Sequence, residues 1–226
     1  MSNHKRTDTW LHSTTAMDEP ICTICGQPLD WITDLFETDV LCTKCREQFL
    51  VHKKIYQIQG IHWCVLYEYN EWLERLLFQY KEQRDIALAP IFLYPYRKRM
   101  KKAFHRYDVC VVCSSEQKRL ERGFEPVIEI LKPQNVYSPL YKTRDRKQSS
   151  AKKSERNEIY SVIQRKMVYP FIHQSIVLAD DVCTTGATLM ASCRLLQPKK
   201  VFVLAAHPLW IEEHKGNVVT NQRWIW

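Results

Sequence analysis

A chain of 226 residues with 45% hydrophobic content has room for one medium domain and a small module, and enough apolar side chain for a real core. Thirty-three Lys and Arg against 25 Asp and Glu give a formal charge of +8, which favours nucleic acid, phosphates or an anionic membrane surface as partners. No apolar run approaches the ~20 residues that span a bilayer, which excludes an integral membrane protein; residues 1–19 lack a secretory apolar stretch and read as a loose polar tail.

Nine cysteines without a secretory signal point to a reducing cytoplasm, where thiols bind metal or sit buried. The first four form two knuckles, Cys22-x-x-Cys25-Gly26 and Cys42-x-x-Cys45, separated by sixteen residues. Each knuckle can aim two thiolates at one tetrahedral Zn²⁺, with a short hairpin between them. Four cysteines leave no open coordination position, so Cys22, Cys25, Cys42 and Cys45 predict a structural zinc in a module over 20–55. Its small core would leave much of its folding energy to the metal.

From 56 onward the pattern predicts a second unit, reaching 226. IHWCVLYEY at 61–69 reads as a strand. Residues 71–82 carry apolar side chains at helical spacing, Trp72, Leu73, Leu76, Leu77 and Tyr80. A further helical stretch is expected at 86–94, stopping near Pro95. Residues 97–106 hold six Lys or Arg and no acid. They are a track for a nucleic-acid backbone or a solvated helix end. YDVCVVC at 107–113 is a buried strand, 122–131 a helix and 136–140 a short strand. Cys110 and Cys113 repeat the metal spacing within a strand, where period-two geometry parts them, so both read as core.

Between that strand and helix, Ser114 to Phe124 reads as a strand-end loop carrying Lys118, Arg119 and Arg122. Such cations suit a pyrophosphate, or a solvated turn. Residues 142–156 carry seven Lys or Arg against two acids. This is a mobile functional loop, with Arg144, Gln148 and Arg156 as its candidate contacts, or a basic linker.

The most telling stretch is IVLADDVCTTGAT at 176–188. An apolar run ends in Asp180 and Asp181, and the small-residue turn Thr184-Thr185-Gly186-Ala187-Thr188 leads into an apolar helix over 189–196. A turn of this kind wraps a phosphate in backbone N–H groups and hydroxyls at a helix N-terminus. The acids can accept from sugar hydroxyls or hold the waters of a Mg²⁺ ion. A last strand is expected at 201–206. Strands alternating with helices predict an α/β fold with a doubly wound, mainly parallel sheet.

Residues 180–188 are similar to the signature of type I phosphoribosyltransferases, which bind 5-phosphoribosyl-1-pyrophosphate (PRPP). Taken with the four-cysteine module, Lys118-Arg119-Leu120-Glu121-Arg122-Gly123-Phe124 and Gln148…Glu155-Arg156-Asn157, the chain resembles the ComF family of bacterial late competence proteins over about 20–207. It departs from the family pattern at Glu125-Pro126, at Cys113 to Gln117 and near Ser161. The resemblance implies a sheet of phosphoribosyltransferase kind behind a zinc-ribbon-like module. It implies PRPP and Mg²⁺ held through Asp180, Asp181, Thr184, Thr185, Gly186, Ala187 and Thr188, with Asp180 and Asp181 as the catalytic pair if phosphoribose is transferred. It also implies a role in DNA uptake during natural transformation beside a helicase-like translocase, in the cytoplasm or at the inner face of the membrane. Three readings follow: such a competence protein, a phosphoribosyltransferase with an unidentified acceptor, or a single-stranded nucleic-acid binder using the fold as scaffold.

Overall fold

The computed structural model describes residues 20–29, 40–112, 114–132, 134–142, 163–166, 171, 173 and 175–220. After a one-turn helix α1 (Thr43–Glu47), strands β1 (Val51–Ile58) and β2 (Ile61–Glu68) form an antiparallel hairpin. Its two-residue turn, Gln59-Gly60, has φ of 49° and 78°, the doubly positive turn that matches strand twist. Helix α2 (Glu71–Lys81) opens on Asn70, whose side chain accepts from the Leu73 N–H at 2.8 Å. The rest follow as α3 (Arg97–Phe104), β3 (Asp108–Val111), α4 (Glu116–Arg122), α5 (Pro126–Leu131), β4 (Val136–Tyr137), β5 (Leu140–Lys142), β6 (Ile163–Arg165), β7 (Ile176–Cys183), α6 (Ala187–Leu196), β8 (Lys200–Ala206) and α7 (Pro208–Glu213).

The main sheet runs β1-β2-β8-β7-β3-β4, parallel throughout except for β1 at its edge; β5 and β6 pair separately. One face is covered by α2, α3 and α5, which bury Leu73, Leu77, Tyr80, Met100, Phe104 and Ile130 against Val109, Val177 and Phe202. The other is covered by α6 and α7, which bury Leu189, Leu196 and Trp210 against Leu178, Val201 and Val203. Burial on both faces is why β7 and β8 read as continuous apolar runs. The expected fold class, a doubly wound and mainly parallel sheet preceded by a four-cysteine unit, is the one observed.

Three local expectations are corrected. Ser114 to Phe124 is not a loop: residues 116–122 are helical, capped by Ser115, whose hydroxyl accepts from the Lys118 N–H at 3.3 Å, and stopped by Gly123 at φ 79°. The helix read over 122–131 therefore starts only at Pro126, which takes the first-turn position where a missing N–H costs nothing. The helical stretch expected at 86–94 is present as a 3-10 helix over Ile86–Phe92 with Pro90 inside it, but Pro95 does not end the helical path: a 3-10 turn at Tyr94–Tyr96 leads straight into α3. Strand β1, unforeseen, alternates poorly because a bulge at Lys53 (φ 48°) interrupts it. The 55/56 boundary between module and domain falls inside this strand.

β3 connects through α4 and α5 to β4 on one side, and β7 through α6 to β8 on the other. The two crossovers cover opposite faces of the sheet. Their divergence leaves a crevice at the carboxyl ends of β3 and β7, the place where open α/β sheets bind ligands.

Candidate functional site

Strand β7 ends at Cys183 and α6 begins at Ala187, so Thr184, Thr185 and Gly186 form the turn at that crevice. Thr184 and Thr185 are exposed, and Thr185 Oγ1 lies 3.4 Å from the Ala187 N–H. The first intrahelical bond runs from the Met190 N–H to the Gly186 carbonyl at 2.8 Å. The N–H groups of Ala187, Thr188 and Leu189 therefore precede the ladder and face the N-terminal end, where the helix dipole favours an anion.

Gly186 makes this turn possible in two ways. Its φ is 74°, and a Cβ there would lie 3.1 Å from Trp210 Nε1 and 3.6 Å from Cys183 Sγ. Trp210 cannot retreat, because it is stacked between Trp63 and His214 with centroids 5.9 and 4.3 Å away. Gly186→Ala is expected to destabilise the chain by about 1–3 kcal/mol, from backbone strain plus overpacking. Thermal melting of the purified variant checks it; an unchanged midpoint counts against this account of the turn.

Asp180 and Asp181 lie inside β7, not beyond it: Asp180 pairs in register with Val203. Successive strand residues face opposite sides. Asp181 turns toward α2, where Lys81 Nζ meets its Oδ2 at 2.6 Å. Asp180 Oδ1 accepts from the Asp181 N–H at 2.9 Å. Burial first, and the Asp181 charge second, push the Asp180 carboxyl up to about 8, with Lys81 opposing. One central strand thus presents a carboxylate engaged by a cation and a neighbouring acid whose carboxyl is held well above the usual carboxylate range.

The pyrophosphate candidates divide. Lys118 and Arg119 are exposed on α4. Arg122 is packed inward and ion-paired with Glu82, at the end of α2. Glu125 accepts from Ser114 Oγ at 2.7 Å and sits in the fields of Asp181 and Arg122; burial raises its pKa. Arg144, Gln148 and Arg156, as well as Cys113, lie outside the described residues.

Away from the crevice, the Sγ atoms of Cys22, Cys25, Cys42 and Cys45 lie within 4.8 Å of one another. The first knuckle is a tight turn closed by the Gly26 N–H on the Cys22 carbonyl at 2.9 Å; in the second, Cys42 precedes α1 and Cys45 lies within it. A ZnS₄ tetrahedron with Zn–S of about 2.3 Å has edges of about 3.8 Å. The Cys25–Cys42 separation of 3.6 Å fits that edge. Among the described residues this is the one cluster of Cys, His, Asp and Glu whose ligand atoms converge on a metal-sized site. Cys64, Cys110, Cys183 and Cys193 are buried in the core.

No protein-family model matches the chain. It is similar to Competence protein ComFC of Bacillus subtilis (strain 168), with 26% identity over 184 residues that cover 79% of this chain and 72% of the relative. It is similar also to Competence protein ComFC of Streptococcus pneumoniae (strain ATCC BAA-255 / R6), with 29% identity over 161 residues, 70% of each chain. The chain is ComFC-like.

Within this ComFC-like chain three crevice residues escape sequence reasoning: Lys81, Glu82 and Glu125. Lys81 and Glu82 read as the polar end of an amphipathic helix, and a Lys in the last turn has a sufficient local reason in the helix dipole. Only the packing of α2 onto the sheet brings them to β7 and α4. No helix among the described residues is long and apolar enough to cross a membrane.

Proposed function

We propose that this chain is a competence protein acting in DNA uptake, that it binds PRPP with Mg²⁺ at the switch-point crevice, and that Cys22, Cys25, Cys42 and Cys45 hold one structural Zn²⁺. The observation that carries the PRPP reading is the meeting of Asp180, Asp181 and the Thr184–Thr188 turn at the carboxyl ends of β7 and β3. In this reading the α6 N-terminus, with the hydroxyls of Thr184, Thr185 and Thr188, takes the 5-phosphate. Asp180 and Asp181 take the ribose hydroxyls. Lys118, Arg119 and Arg122 face the pyrophosphate side. Asp180 and Asp181 are also the acids present to hold the waters of Mg²⁺, which when bound neutralises pyrophosphate charge. Calorimetric titration of the intact protein with PRPP and Mg²⁺ tests the reading; no heat at millimolar ligand overturns it.

The competence role rests on the two ComFC relatives, and a helicase-like translocase is the partner it implies. Direct contact with single-stranded DNA has one structural support. Arg97, Lys98, Arg99, Lys101 and Lys102 are exposed on α3 while Met100 and Phe104 anchor it to the core. Such a face neutralises phosphates and releases counterions, so binding weakens steeply with salt. Replacing Lys98, Arg99, Lys101 and Lys102 by Gln should flatten the log–log salt slope by roughly 0.7 per lost phosphate contact. An unchanged slope in the folded variant removes α3 from the DNA path and leaves the translocase as its partner.

A further inference from the structure

Two ion pairs leave adjacent residues at the end of α2, one in its last turn and one at its cap, and end in the crevice. Lys81 reaches Asp181, and Glu82 reaches Arg122. The partners of the second pair are unequal. The Arg122 side chain is 9% exposed, and its Nε is buried with no hydrogen-bond partner among the described residues. The Glu82 side chain is 45% exposed. A guanidinium offers five donors in a planar fork that matches phosphate oxygens in pairs. One Glu82 oxygen on one terminal nitrogen leaves most of that fork unused, and a buried unpaired donor is costly. Glu82 can swing into water with little loss of packing, whereas Arg122 is fixed.

We propose that Glu82 is an affinity-setting residue: it holds Arg122 as an internal stand-in for a phosphate oxygen, and the pyrophosphate of the ligand exchanges with it. The proposal rests on the crevice being a PRPP site. Lys81, which keeps Asp181 engaged from the preceding position, ties the acid side of the site to the same turn. The exchange fixes Arg122 toward the ligand without moving it, and lowers affinity by the strength of the contact that Glu82 gives up.

The experiment is calorimetry of inorganic pyrophosphate with Mg²⁺, and of PRPP with Mg²⁺, on the full chain. Glu82→Gln keeps the shape and removes the competing charge; it should tighten both ligands about three- to tenfold, the scale of one half-exposed charge-assisted contact. Glu121→Gln is the control, since Glu121 is exposed on α4 and bonded to Gln117 at 2.7 Å; it makes the same change in net charge and should leave both affinities as they are. Arg122→Gln should weaken both ligands, and adding Glu82→Gln to it should restore nothing. If Arg122→Gln does not fold, the comparison of Glu82→Gln with Glu121→Gln decides alone. Equal or weaker binding in Glu82→Gln overturns the exchange, as does an equal gain in Glu121→Gln. If the intact protein binds PRPP but Glu82→Gln gains nothing, only the exchange fails. If it binds neither ligand, the PRPP reading and the exchange fail together.

Discussion

Stripping zinc, or replacing Cys22 and Cys42 by Ser, should detach the four-cysteine module from the sheet and lower the melting temperature of the whole chain. Its described core is small: up to residue 50, Cys22, Leu41 and Phe49 are the buried apolar residues. The two knuckles are turns held by a few backbone bonds. Structural zinc binding in small modules is worth roughly 10–16 kcal/mol, far more than such contacts supply. The loss should spread beyond the cysteines. Phe49 packs on Tyr67 and Trp72 with centroids at 4.8 Å, and Arg46 donates to the Ile91 carbonyl at 2.9 Å, so the module also braces the turns at 86–92. Elemental analysis, melting and limited proteolysis between 20 and 50 check this together. Full zinc retention in the double variant, or no shift in melting on chelation, would refute it.

Asp180→Ala with Asp181→Ala should reduce PRPP affinity by on order of 100-fold or more. Each lost hydrogen bond to a charged group costs about 1.5–3 kcal/mol. The double variant also leaves Lys81, 18% exposed, without its 2.6 Å partner. Asp180→Asn with Asp181→Asn, which keeps the shape, separates lost ligand contacts from a collapsed crevice; calorimetry on both double variants gives the answer, and unchanged affinity in either sinks the assignment.

The raised pKa of Asp180 adds a sign. The folded chain keeps a proton on this carboxyl up to about pH 8, while the unfolded chain releases it near the usual carboxylate value. The folded state therefore binds more protons, and this group's contribution to stability falls as pH rises through that window. Asp180→Asn should flatten the stability profile between about pH 4 and 8. Ligand binding runs the other way: Mg²⁺·PRPP favours the ionised acid, so wild-type affinity should rise with pH toward 8.

The motifs legible in the sequence are those whose chemistry is local. Two Cys-x-x-Cys turns need only their own backbone to aim thiolates, and the structure brings all four within one metal-sized cluster. The run at 176–188 encodes its own strand, turn and helix. Alternating apolar strands and amphipathic helices sufficed for the doubly wound sheet, because burial on two faces is written in each strand separately. Short helices were harder. Residues 116–122 carry no buried apolar side chain, so no apolar stripe marks them. Only the Ser115 cap and the Gly123 stop define their ends, and a polar helix with three cations is indistinguishable by composition from a polar loop.

What the tertiary structure alone decided is which charges meet. Asp181 lies 100 residues from Lys81 in sequence, and Arg122 lies 40 from Glu82. The fold sets them together because α2 packs across the face of β7 and its last turn ends over the crevice. The sequence determined that Asp180, Asp181 and the Thr184–Thr188 turn sit at one strand's carboxyl end, since that needs only local order. Which cation meets which acid depends on side chains carried by separate elements. Coulomb energies change steeply over a few ångströms, and those distances exist only once the helices are docked on the sheet.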